Sequence, residues 1–160
     1  MTHTIDNSAD IIDSRDVIAR LEELQDEQRS LAGDVAEAEE NVRHHHGGEL
    51  DEAGDYPEHD EWRECRDALD DWEADNLDEL ESLRELADRG LGYGDWEHGE
   101  ALIRESYFEE YAQELAEDCG MIQQGASWPN NCIDWEQAAR ELKVDYVEID
   151  FDGVTYLMRA

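Results

Sequence analysis

Lysine is almost missing from this chain. Lys143 stands alone, and eleven arginines bring the bases to only 12, against 46 Asp and Glu. Neutralising a phosphate backbone takes clusters of Lys and Arg, so this shortage argues against direct binding to DNA, RNA or an anionic membrane. No apolar run approaches the roughly 20 residues that a membrane span needs. Residues 1–13 are polar and acidic where a targeting segment would be basic or apolar. Cysteine is also scarce: Cys65, Cys119 and Cys132 form no C-x-x-C, and their odd number does not suit a disulfide framework. The expected setting is a reducing cytoplasm, with cysteines acting as small hydrophobes. Signatures of chemistry are lacking too. There is no G-x-S-x-G, and Gly90-Leu91-Gly92-Tyr93-Gly94 follows no strand, as a dinucleotide fingerprint would. His44, His45, His46 and His59 have no Cys pair nearby, and three adjacent histidines on a helix do not converge on one metal. No catalytic residue, metal or cofactor is expected.

What the chain has is negative charge, a formal net of -34 on 160 residues. Self-repulsion of this size works against the compact state, which suggests that the charge serves something outside the fold. The matching partner is a surface rich in Lys and Arg, of the kind that holds nucleic acid. A second explanation is adaptation to a salt-rich cytoplasm, where acidic, lysine-poor surfaces stay hydrated. Hydrophobic residues make up 39% of the chain, with five Trp and six Tyr, more than a disordered acidic tail would carry.

The periodicity predicts a mostly α protein with a small α+β unit at its C-terminal end. Residues 1–13 read as a flexible leader. Ser14 offers an N-cap. Val17, Leu21, Leu24, Gln28, Leu31, Val35, Ala38 and Val42 then recur at alternating fours and threes, a heptad seam interrupted by one polar residue. Residues 47–57 are Gly-rich and read as a connection. Trp62, Cys65, Leu69, Trp72, Asn76, Leu80, Leu83 and Ala87 form a second seam. Two seams of similar length predict an antiparallel helical hairpin over 14–90, coiled-coil-like, with arms of about 45 Å at 1.5 Å per residue. Residues 91–160 form the smaller unit. Within it, Ala101 to Asp118 reads as an amphipathic helix stopped by Gly120, and Asp134 caps a helix over Trp135–Leu142. The alternation Val147, Ile149, Phe151, then Asp152-Gly153, then Val154, Tyr156, Met158 predicts a β-hairpin with a type I′ turn. Its apolar face is expected to rest on the two preceding helices.

The charge is uneven. Residues 14–46 carry a net of -5, residues 47–90 of -14 and residues 91–160 of -12. Asp67, Asp70, Asp71, Glu73, Asp75, Asp78, Glu79 and Glu81 lie within fifteen residues and have no base among them. A helix built for stability would mix signs at i, i+4. Glu109, Glu110, Glu114, Glu117 and Asp118 form a second cluster. These thirteen carboxylates are the candidate partner-binding surface. At one charge per roughly 1.7 Å of duplex, the whole charge would cover about 58 Å of DNA.

The segments Tyr107-Phe108-Glu109-Glu110-Tyr111-Ala112-Gln113-Glu114-Leu115-Ala116-Glu117-Asp118 and Ile133-Asp134-Trp135-Glu136-Gln137-Ala138-Ala139-Arg140-Glu141-Leu142, with the closing Asp-Gly hairpin, resemble the last domain of antirestriction proteins of the ArdA type. That family has an acidic "EEYAEE" helix, an "IDYE-x-x-ARDL" helix and a short strand pair. Its members come from phages and mobile elements, and they are acidic, dimeric mimics of bent DNA that occupy the groove of type I restriction–modification enzymes. The resemblance covers about 55 residues. It implies a non-enzymatic inhibitor of a host defence complex, of restriction–modification or CRISPR type, working in the host cytoplasm, and leaves room for a homodimer. The family has three small α/β domains, whereas residues 14–90 here read as a helical hairpin. From the residues alone, two other readings stay open: an acidic coiled-coil adaptor that binds through its apolar seam, and a halophile protein with an adapted surface.

Overall fold

The computed structural model describes residues 4–46, 57–123, 125 and 127–160. The chain divides into two compact units, Met1–Ile18 with Ser82–Ala160, and Ala19–Glu81. Two long helices, α1 (Ser14–His46) and α2 (Pro57–Gly90), pass through both. The Gly-rich connection expected over 47–57 lies outside the described residues, save for Pro57, which opens α2. Among the described residues, no helix is long and apolar enough to cross a membrane.

The Ala19–Glu81 unit is an antiparallel pair of helices closed within one chain. Arg20 meets Glu79, Gln28 meets Glu73, and Ala38 and Val42 meet Trp62, so the two helices run in opposite directions. The heptad residues lie where the spacing places them. Leu24, Ala38, Val42, Trp62 and Leu80 are buried, with Val35 and Cys65 partly so. A fully buried leucine contributes on the order of 2 kcal/mol. The polar seam positions bond rather than merely interrupt. Gln28 Nε2 donates to Glu73 Oε1 at 3.3 Å, and Trp72 Nε1 donates to Glu27 Oε2 at 2.9 Å. Arg20, nearly buried, forks onto both Glu79 oxygens at 3.0 and 2.9 Å and reaches Glu23 at 2.8 Å. Hydrogen bonding to Glu79 raises the guanidinium pKa, so Arg20 stays charged at any accessible pH.

The other unit is built on a four-stranded antiparallel sheet in the order β1-β2-β4-β3, with β1 at Ile11–Asp13, β2 at Ala101–Arg104, β3 at Tyr146–Phe151 and β4 at Val154–Arg159. Here the sequence reading needs four corrections. The described end of the leader is not loose: Ile11, Ile12 and Asp13 pair with Ile103, Leu102 and Ala101. Tyr156 Oη also donates to Ala9 O at 2.7 Å, and Arg104 N–H donates to Asp10 O at 2.8 Å. Ser14 does not cap α1. Asp13 Oδ1 accepts the Arg15 N–H at 2.8 Å in that role. The Ser14 hydroxyl, fully buried, instead donates to Trp96 O and accepts from Glu100 N–H, both at 2.7 Å.

The third correction concerns Ala101–Asp118, which is not one helix. Ala101–Arg104 is β2, Glu105–Tyr107 a 3₁₀ turn, and only Phe108–Asp118 is helical (α4, after the short α3 at Trp96–Gly99). Leu102 and Ile103 are both fully buried although they point to opposite faces, because both faces of this sheet are covered. A short apolar pair fits a helix and such a strand equally well. The hairpin of β3 and β4 is as expected, with Asp152 at φ 49° and Gly153 at φ 76°, the two positive angles of a type I′ turn. Asp134 caps α5 (Trp135–Leu142) by accepting Gln137 N–H at 3.0 Å. The expected face, however, is reversed. α4 and α5 cover the Leu157 and Ile103 side, where Phe108, Ala112, Ala139 and Tyr146 gather. Ile149, Phe151, Tyr156 and Met158 are buried on the opposite side. The last turns of α2, carrying the buried Leu83, Leu86 and Ala87, are tied to the hairpin by Ser82 Oγ donating to Asp152 Oδ1 at 2.7 Å and Arg89 donating to Asp150 O at 2.5 Å. Gly90 ends α2 where a Cβ would come within 2.2 Å of the Trp96 ring.

Candidate partner-binding acidic surface

The seam fixes which way each carboxylate of α2 points. At 3.6 residues per turn, Asp67, Asp70, Asp71, Asp75, Asp78 and Glu81 fall within an arc of about 140° opposite the seam. All six are exposed. Among the described residues none of the six carboxylates has a side-chain hydrogen bond or an ion pair. The other two members of the cluster, Glu73 and Glu79, sit on the shoulders of the seam and are half-buried. They are spent inside the hairpin on Gln28 and Arg20. The candidate surface on α2 is therefore six carboxylates, not eight. Glu64 extends it: it is exposed, unpartnered and on the same face. Two arginines, Arg63 and Arg66, flank it in sequence. Arg63 pairs with Asp60 at 2.9 Å, and Arg66 lies 5.3 Å above the Trp62 ring.

The second cluster belongs to the sheet unit. Glu109 and Glu110 occupy the first turn of α4, where the helix dipole favours negative charge. Glu117 and Asp118 occupy the last turn, where it disfavours it, and no base compensates there. Glu114 accepts from Tyr107 Oη at 2.8 Å, which raises the phenol pKa. Gln113 donates to Glu117 at 3.4 Å. Glu109, Glu110, Glu114 and Asp118 are exposed, and Glu117 is half-buried. The two clusters thus fall in different compact units.

The remaining side chains offer little chemistry. Among the described residues, no group of three or more His, Cys, Asp or Glu could hold a metal ion. Cys65 lies against the seam, and burial together with Asp34, Glu61 and Glu64 pushes its thiol pKa up, the direction that suppresses a reactive thiolate. Trp62, Trp72 and Trp96 are structural, while Trp128 is largely exposed.

The chain matches no family model, no curated protein and no solved structure.

Proposed function

We propose that this protein is a nucleic-acid mimic that inhibits a host anti-phage defence complex, of restriction–modification or CRISPR type, by occupying its basic groove. The observation that carries the reading is the outer face of α2. Six unpaired carboxylates stand there along fifteen residues, without a base among them. At 1.5 Å per residue that is one charge per roughly 4 Å, close to the ~3.4 Å rise of one DNA strand rather than the ~1.7 Å of the duplex. One face of one helix would stand for one strand's phosphates, and the α4 carboxylates for a further set. Association would be electrostatically steered and steeply salt-dependent. No catalysis is involved. The C-terminal likeness to antirestriction proteins of the ArdA type supports the same reading.

Competition is the test: DNA binding by a candidate restriction or CRISPR complex is measured with and without this protein at rising salt. Inhibition should fade between 0.1 and 1 M NaCl. The combined change Asp71→Asn, Asp75→Asn and Asp78→Asn should weaken it at low salt. Inhibition indifferent to both salt and these changes would sink the proposal. The adaptor reading loses ground because the seam of the Ala19–Glu81 unit is consumed by its own two helices. The halophile reading keeps the single lysine in its favour; it requires that circular dichroism show loss of structure in low salt.

A further inference from the structure

The outer edge of β3 is the longer of the two edges of the sheet. β3 ends the strand order, with β4 on one side only. The two-residue turn makes Phe151 and Val154 a hydrogen-bonded pair, so Ile149 and Val147 also bond towards β4. Ala160 N–H donating to Asp145 O at 2.9 Å keeps that parity. The N–H and C=O groups of Tyr146, Glu148 and Asp150 therefore point outward. The opposite edge strand, β1, is only three residues long.

Two observations say what this edge takes. First, its one engaged acceptor already holds a guanidinium: Arg89 donates to Asp150 O and lies 3.6 Å from Asp150 Oδ1. Secondly, the side chains at the edge are acids. Glu148 and Asp150 are exposed, so the charges that guard this edge are both negative, with no Lys, Pro or bulge among Tyr146–Phe151. A second copy of this chain would bring the same acids opposite one another, which is unfavourable across strands. A basic strand would meet carbonyl acceptors and carboxylates together.

We propose that the outer edge of β3 binds an extended, Lys- and Arg-bearing segment of a partner protein by strand addition. The segment's backbone pairs with Tyr146, Glu148 and the N–H of Asp150, whose carbonyl Arg89 already engages, and its basic side chains lie beside Glu148 and Asp150. Main-chain bonds would give affinity and the acids would select the partner, as in other edge-binding peptides. The inference is independent of mimicry by α2, which uses no backbone.

The test uses the full chain and a fluorescent seven-residue peptide alternating lysine and threonine, with a fully N-methylated twin of equal charge. Strand addition predicts that the twin binds at least about tenfold more weakly, since it has lost its backbone donors. Equal binding of the two would overturn the proposal and leave attraction by charge alone. Glu148→Pro removes an outward N–H at an edge position where proline is tolerated, so binding should fall about tenfold, against about twofold for Glu148→Gln. Equal loss in the two variants would also overturn it. If Glu148→Pro did not fold, the comparison of the two peptides on the unaltered protein would still decide. A dimer by sedimentation that Glu148→Lys disrupts would give the edge to a second copy and likewise refute the proposal. The triple Asn variant of Asp71, Asp75 and Asp78 should keep the discrimination between the peptides, so a failure here and a failure of mimicry are read separately.

Discussion

The two helices of the Ala19–Glu81 unit share a seam and a period, yet they treat charge differently. On α1, each arginine of the unit is paired within a turn: Arg20 with Glu23, Arg29 with Asp26, and Arg43 with Glu39 and Glu40. On α2, Asp67 to Glu81 contains no base at all. Both helices form, so the seam carries the fold and does not need the charge pattern of either. The α1 pattern is what local helix stability favours. The α2 pattern forgoes that gain, and the proposed function draws on this difference between the two outer faces.

Arg20 binds the two patterns together, and its removal should have the largest effect. Arg20→Ala leaves Glu79 half-buried without its cation and should cost about 3 kcal/mol, the low end of the range for a broken buried pair because some solvent reaches it. Urea denaturation would show this, and a loss below about 1 kcal/mol would make the pair a surface bridge. Leucine truncation then compares the seam's two sides. Leu24→Ala, at a fully buried site, should cost about 3 kcal/mol, and Leu69→Ala, half-buried, about half as much. Equal costs would mean that the two helices contribute alike to the core.

The sharper variant gives α2 what α1 already has. Asp75→Lys places an ammonium four residues after Asp71 and three before Asp78, and should stabilise the helix by a few tenths of a kcal/mol. It should also weaken inhibition of the target complex. A variant that is more stable and equally inhibitory would remove the reason for α2's pattern. The smallest effect is a pH dependence at the start of α1. The hydrogen bond from Arg15 holds the Asp13 carboxyl below its ordinary value. Its contribution is therefore present above about pH 3.9, the unfolded value, and is lost as the pH falls through the lowered folded one. Asp13→Asn, which keeps a capping oxygen, should lower Tm slightly at pH 7, and the difference should vanish near pH 2.

Much of the fold could be read from residue spacing. Both seams, the Asp134 cap and the Asp152-Gly153 turn each rest on local chemistry that one short window contains. What escaped depends on distant chain. Ile11–Asp13 is too short to announce itself and becomes a strand only because β2 is there to pair with it. Leu102 and Ile103 give no period, since a strand covered on both faces buries consecutive residues. Ser14 looked like a cap because the need for its hydroxyl arises at Trp96 and Glu100, more than eighty residues later. The candidate acidic surface was legible as a stretch and, with the seam at 3.6 residues per turn, as a face. What depends on the other helix is the engagement of Glu73 and Glu79 by Gln28 and Arg20.

The register of β1 and β2 has a consequence for how such a molecule could be altered. Asp13 and Ala101 are direct cross-strand partners, and Ser14 N–H donates to Glu100 O at 2.9 Å immediately beyond them. Everything between, α1 and α2 included, is topologically one enlarged turn between two adjacent antiparallel strands. An insertion whose two ends lie side by side can be shortened or lengthened by matched heptads without altering the strand order of its host. Arm length is then a dimension that can vary while the sheet stays the same.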